Sequence, residues 1–136
     1  MKRVLVFGTF DVLHPGHLHF LQGAKKFGDY LIVSLARDKF VKRIKGRKAH
    51  HSELDRKKLV EALKIVNKAV LGSKDDYIKH IIAQKPDIIA LGYDQRAFTE
   101  NLKLKLVSAG MKKIKIVRLK PYKPHLYKSA ILSPPG

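Results

Sequence analysis

Five short apolar runs, each followed by a stretch with helical or turn character, leave this chain few ways to fold. Residues 2–7 read as a first strand and 17–27 as a helix, with Leu18, Leu21, Ala24 and Phe27 at its spacing and Gly28 as its stop. Residues 30–36 form a second strand, apolar enough to be buried on both faces. The basic segment 37–51 shows little periodicity. Ser52 is placed to cap a helix over 53–66, whose Leu59, Leu63 and Val66 predict a core stripe. A short strand at 68–71 and a helix at 75–84, with Ile78, Ile81 and Ile82 on one side, follow. A strand at 86–91 ends at Gly92, a helix spans 98–109 and is stopped by Gly110, and a fifth strand runs over 113–119. Residues 120–136 carry Pro121, Pro124, Pro134 and Pro135, so the tail is expected to be mostly irregular.

Regular alternation of this kind predicts an α/β fold: a Rossmann-like, doubly wound, five-stranded parallel sheet with helices on both faces, in a single domain over 1–136. Right-handed crossovers would bring loops 8–17, 37–51 and 92–97 to the carboxyl edge of the sheet, where such folds bind ligands.

The first of those loops reads Gly8-Thr9-Phe10-Asp11-Val12-Leu13-His14-Pro15-Gly16-His17. It links a strand to a helix start and sets two imidazoles three residues apart. A helix N-terminus offers backbone N–H groups and a positive dipole end, so the expected ligand is phosphate. Two histidines could instead be buried, capping or zinc-bound. No third ligand follows at metal-site spacing, and Pro15-Gly16 interrupts the regular helix that a paired-histidine zinc site requires. Asp11 reads as a group that fixes the turn by accepting backbone N–H bonds.

Composition narrows the class. Lys and Arg outnumber Asp and Glu by 29 to 11, a formal charge of +18, which attracts polyanions such as nucleic acid, anionic lipid or phosphorylated metabolites. No apolar run approaches the ~20 residues of a membrane span. The early strand predicts no signal peptide, and the absence of cysteine suits a cytoplasmic protein.

The run Gly8-Thr9-Phe10-Asp11 followed by His14-Pro15-Gly16-His17 resembles the signature of the cytidylyltransferase-like nucleotidyltransferase superfamily. The resemblance extends over about residues 2–119. Ile44-Lys45-Gly46 stands where the family carries an essential lysine, and Ser52-Glu53-Leu54-Asp55-Arg56 resembles the helix start that supplies its arginine. Leu91-Gly92-Tyr93-Asp94-Gln95-Arg96 is closest in appearance to archaeal FAD synthases. The C-terminal family motif is poorly matched, with Ser129 the one hydroxyl near the expected place and Lys120, Lys123 and Lys128 available for the charge of its arginine.

The resemblance implies transfer of a nucleoside monophosphate from a nucleoside triphosphate to a phosphorylated small molecule, with release of pyrophosphate. ATP and FMN are the favoured pair, with Mg²⁺ on the triphosphate and a homodimer as the common assembly. It implies catalytic roles for His14, His17, Lys45 and Arg56, and nucleotide contacts from Gly8, Thr9, Phe10, Gly16, Gly92, Tyr93, Asp94 and Ser129. Alternatives are a cytidylyltransferase of the glycerol 3-phosphate type using CTP and a heptose-phosphate adenylyltransferase. Outside enzymes, they are a nucleic-acid-binding module using the positive charge, or a nucleotide sensor without turnover. Against the nucleic-acid module, the chain shows no interleaved aromatic and basic platform.

Overall fold

Successive residues of the central strands enter opposite cores. Along β1 (Arg3–Gly8), Val4 and Val6 join one buried cluster and Leu5 the other. In β2 (Tyr30–Leu35), Leu31, Val33 and Leu35 face the first cluster and Ile32 the second. A strand covered on both faces needs apolar residues at nearly every position, which is why these runs show no polar alternation. The computed structural model describes residues 1–92, 95 and 101–120. In it β1 and β2 join β3 (Lys68–Leu71), β4 (Ile88–Leu91) and β5 (Lys115–Arg118) in a five-stranded parallel sheet of order β3-β2-β1-β4-β5.

Among the described residues two helices cover each face. α1 (Pro15–Lys25) and α3 (Glu53–Glu61) bury Leu21, Ala24 and Val60 in the first core. α4 (Tyr77–Gln84) and α5 (Leu102–Ser108) bury Ile81, Leu102 and Leu106 in the second. The winding reverses between β3 and β4, so the carboxyl ends of β1 and β4 diverge at a switch point, as in the expected Rossmann-like fold. Among the described residues no helix is long and apolar enough to cross a membrane.

The structure departs from the sequence reading in several places. Segment 37–51 contains an unexpected helix, α2 (Asp38–Lys45), ended by Gly46 at φ 74. Its apolar residues Phe40, Val41 and Ile44 do fall at helical spacing, but four basic residues between and beside them masked the pattern. α1 starts at Pro15, two residues earlier than expected, because proline's fixed φ suits a first helical position. Its inward residues are His17, Leu21 and Ala24, leaving Leu18 and Phe27 exposed. Gly28 does not end α1 by a left-handed turn. A Cβ there would lie 2.7 Å from both the Lys2 carbonyl oxygen and Val4 Cγ2, so the residue is small to let the chain pass β1. α3 ends at Glu61; Leu63 and Val66 pack on the first core from beyond it, and Leu59 is exposed. Asp76 caps α4, its carboxylate accepting the Lys79 N–H at 3.0 Å. The expected helix over 98–109 is seen as α5 from Leu102, residues 98–100 lying outside the described residues, as does the tail from Pro121.

Candidate active site at the strand ends

β1 delivers the chain to the carboxyl edge, where Gly8 and Thr9 lead into Phe10 at φ 52. This left-handed backbone is costly for a non-glycine residue and is held by burial of the Phe10 ring, 1 % exposed. The ring leaves no room at Gly8: a Cβ there would meet Phe10 Cε2 at 2.5 Å. Phe10 is therefore part of the core, and its side chain lines the underside of the turn instead of facing solvent.

The His14-Pro15-Gly16-His17 step is a reciprocal cap built from two imidazoles. His14 Nδ1 accepts the Gly16 N–H at 3.0 Å, and His17 Nδ1 accepts the His14 N–H at 3.3 Å. The rings stack with centroids 3.9 Å apart, and Phe10 packs against His17 at 5.2 Å. A backbone N–H only donates, so each Nδ1 carries no proton and each ring holds its proton on Nε2. Folding thus fixes the tautomer of both rings as Nε2–H donors. His17 is 7 % exposed; burial, the adjacent His14 and the charge of Lys45 push its pKa down to about 3, and burial lowers that of His14 as well.

The cap changes what this helix end offers. The N–H groups of His14 and Gly16 go to imidazole nitrogens, those of His17 and Leu18 go to the His14 carbonyl, and Pro15 has none. The amides at the start of α1 are therefore taken by the cap and by the His14 carbonyl. The histidines themselves satisfy the helix N-terminus through Nδ1, and each ring keeps an Nε2–H as its donor, that of His14 buried.

Arg56 is fully buried, against the expectation of an arginine open to phosphate. Its Nη1 donates to the Thr9 carbonyl at 2.9 Å, Nε to the His51 carbonyl at 3.1 Å and Nη2 to Asp38 Oδ1 at 2.7 Å. Asp11, 1 % exposed, accepts the His50 and His51 N–H groups at 2.6 and 2.8 Å; it does accept backbone N–H bonds, but it ties the segment before α3 to the turn instead of closing its own turn. Burial raises its pKa, but those backbone bonds and the charges of His50 and Arg56 together bring it below the usual value. His50 and His51 have exposed side chains and serve through their backbone. Lys45 is the last residue of α2, half-buried, with its charge acting on His17.

A cavity of about 320 Å³ opens beside the turn over the ends of β1, β2 and β3. Gly8, Thr9 and Lys45 line it together with Ser34, Phe40, Tyr77 and His80 among others. Gln95 closes the switch point: its Nε2 donates to the Phe7 carbonyl at 2.6 Å and its Oε1 accepts the Gly92 N–H at 2.8 Å. Arg118 Nη1 donates to the carbonyls of Gly92 and Gln95 at 2.8 and 3.1 Å.

The structure thus brings Gly8, Thr9, Phe10, His14, Gly16, His17, Lys45 and Arg56 to one corner of the sheet, with Gly92 across the switch point. Tyr93, Asp94 and Ser129 lie outside the described residues. Sequence reasoning missed Asp38, Glu53 and Arg118, and placed Gln95 at the site only as part of a motif; the work of all four is to hold this corner together. Asp38 and Glu53 did carry a signal, as acidic residues at helix starts. Among the described residues no group of three or more His, Asp or Glu is placed to hold a metal ion.

Comparison with known proteins extends the geometry. A model of the family described as cytidylyltransferase-like matches residues 5–131. An FAD synthase of Methanosarcina mazei is 50 % identical over 119 residues, covering 88 % of this chain and 77 % of that protein. One from Thermoplasma acidophilum is 42 % identical over 132 residues, covering 97 % and 92 %. A crystal structure from Thermoplasma volcanium, described as a lipopolysaccharide core biosynthesis protein, superposes with a TM-score of 0.84 at 43 % identity over 90 % of this chain and 99 % of that one. A pantoate-β-alanine ligase of Francisella tularensis, at 16 % identity and a TM-score of 0.55 over 90 % of this chain and 60 % of that one, shares the fold alone.

Proposed function

This chain belongs to the cytidylyltransferase-like family, and from that membership we propose that it transfers AMP from ATP to FMN, forming FAD and pyrophosphate. The observation that carries the reading is the imidazole pair, locked as two Nε2–H donors beside Lys45 on a chain 42–50 % identical to FAD synthases over most of its length.

In the reaction, an oxygen of the FMN phosphate attacks the α-phosphorus of ATP. The bond from that phosphorus to the oxygen bridging to the β-phosphate breaks, and its electron pair leaves with pyrophosphate. No proton needs to move to or from the protein. His14 and His17 donate to triphosphate oxygens as neutral groups, and Lys45 adds a positive charge where negative charge develops. Gly8 and Thr9 shape the floor. Arg56 is a positioning residue, acting through the Thr9 carbonyl and Asp38. Gly92, held between Gln95 and Arg118, borders the nucleotide side, with Tyr93 and Asp94 assigned to it by the family resemblance.

A divalent ion, Mg²⁺ by its preference for phosphate oxygen, supplies further charge neutralisation when bound. The described residues fit an ion carried by triphosphate and water, since Asp11 is buried under the His50 and His51 backbone and no three ligating side chains converge among the described residues.

The test is a product assay crossing ATP and CTP with FMN, glycerol 3-phosphate and heptose 1-phosphate, following pyrophosphate and FAD. FAD formed from ATP and FMN is the expected result. Turnover with CTP and glycerol 3-phosphate alone would move the chain to the cytidylyltransferases, and no turnover with any pair would end the enzyme reading.

A further inference from the structure

The cavity holds polar groups that phosphate transfer does not use. Ser34, 3 % exposed on β2, has its Oγ 2.9 Å from His80 Nε2 of α4, and both residues line the cavity. We propose that this cavity receives the isoalloxazine ring of FMN, with Ser34 and His80 reading its heteroatom edge and Phe40 walling its apolar side. The proposal rests on the FMN reading above and assigns side chains that determine which acceptor is taken.

Size and lining support a flat aromatic guest. A volume of about 320 Å³ stands at the low end of small-molecule sites, roughly 300–1,000 Å³, enough for one ring system and too small for a whole dinucleotide. Phe7, Leu35, Ile44 and Tyr77 supply apolar surface around the polar pair. Phe40 and Ile44, one helical turn apart on α2, remain 44 % and 56 % exposed at the cavity, which is costly apolar surface unless a ligand covers it.

The polar pair fits an uncharged edge. A serine hydroxyl has one donor and two acceptor sites, and the His80 bond uses one of the three. In either tautomer of His80 the hydroxyl keeps capacity for a carbonyl or an N–H, and the isoalloxazine edge presents both. Burial and the nearby Arg37 charge lower the His80 pKa, so the pair is neutral. Gly72 keeps the space beside it clear: a Cβ would stand 3.2 Å from the Leu35 carbonyl oxygen and 3.8 Å from Ser34 Oγ.

Charge lies elsewhere in the same cavity. Arg37 and Lys45 line it, and the Lys45 charge also reaches His17. An acceptor with its ring on Ser34 and His80 therefore extends its phosphate toward the groups that hold the triphosphate. The cavity spans the β1–β2–β3 side of the switch point, which leaves the β4–β5 side for the nucleotide base.

Steady-state kinetics on Ser34→Ala and Phe40→Ala test this, with FMN and ATP varied separately and quenching of FMN fluorescence as an equilibrium readout. Each substitution is expected to raise the KM for FMN about tenfold, the loss of one good contact, with the KM for ATP unchanged. Phe40 is half-exposed and its removal spares the core, and His80→Gln gives a third variant with the same expectation. An unchanged KM for FMN in all three, or a rise in the KM for ATP instead, would overturn the assignment. Failure of the unaltered protein to form FAD is a separate result, which overturns the function proposed above.

Discussion

Asp38 and Glu53, the first residues of α2 and α3, each accept the other's backbone N–H. Asp38 N–H donates to Glu53 Oε1 at 2.8 Å, and Glu53 N–H to Asp38 Oδ2 at 3.1 Å. Each carboxylate thereby caps the neighbouring helix. Two arginines complete the corner, Arg37 on Glu53 at 3.2 Å and Arg56 on Asp38 at 2.7 Å. This arrangement carries Lys45 and Phe40 on α2 and ties them to the histidine turn through Arg56 and Thr9.

Replacing Arg56 by alanine is expected to lower the free energy of unfolding by about 3 kcal/mol in urea titrations, since it empties a fully buried site and strands the buried Thr9 carbonyl. Asp38→Asn should cost less, about 1 kcal/mol, because Asp38 is half-exposed and the screened pair contributes little. If Arg56→Ala kept full stability and lost only turnover, the arginine would be gripping phosphate directly.

His14→Ala and His17→Ala should each reduce kcat by about 10²- to 10³-fold, the usual loss for one transition-state donor. Single-turnover measurements would separate this from slow product release. His17→Ala should also destabilise the protein, since it opens space beside Phe10 and removes half of the reciprocal cap.

Lys45→Gln tests charge at the same place. Lys45 is half-buried at the end of a short helix and belongs to neither core, so melting temperature should hold while kcat falls by about 10². A loss confined to KM would assign the lysine to ground-state binding.

Stability should vary with pH in a direction set by His17. Its folded pKa of about 3 lies below the ordinary 6.5, so the unfolded chain binds a proton that the folded chain does not. The contribution is fully present above about pH 6.5 and is lost as pH falls toward 3. His14 acts in the same sense. Melting curves of the protein and of His17→Gln should converge in acid, and the His17 ring resonances should not titrate between pH 8 and pH 5.

Gly8→Ala is expected to cost about 2–3 kcal/mol in unfolding experiments, as a Cβ 2.5 Å from Phe10 Cε2 must displace a buried ring. Because Phe10 supports His17, turnover should fall with it.

Much of the architecture was legible because burial on both faces writes itself as unbroken apolar runs, and β3 appears at the residues expected for it. α2 was hidden because half of its eight residues are lysine or arginine and only Val41 is buried, its Phe40 and Ile44 staying exposed. At the site, the motif named the right corner but not the manner of its working. No spacing rule shows that a histidine satisfies a helix end through Nδ1, or that Arg56 turns inward. Ser34 and His80, on different elements, meet only once β2 and α4 have packed. Such pairings belong to three dimensions and leave no local trace.

Strand order has a consequence for how the chain is made. β1 is the central strand, yet its partner on one side arrives late: Val4 and Leu5 wait for Ile88 and Ile89. His14, His17, Lys45 and Arg56 all leave the ribosome earlier. A growing chain therefore carries the histidine turn, Lys45 and the arginine that braces them while β1 is still an apolar sheet edge, the kind of edge that recruits other chains. The window closes when Asp87 takes the Arg3 N–H with its carboxylate at 2.8 Å and returns its own N–H to the Arg3 carbonyl at 2.9 Å.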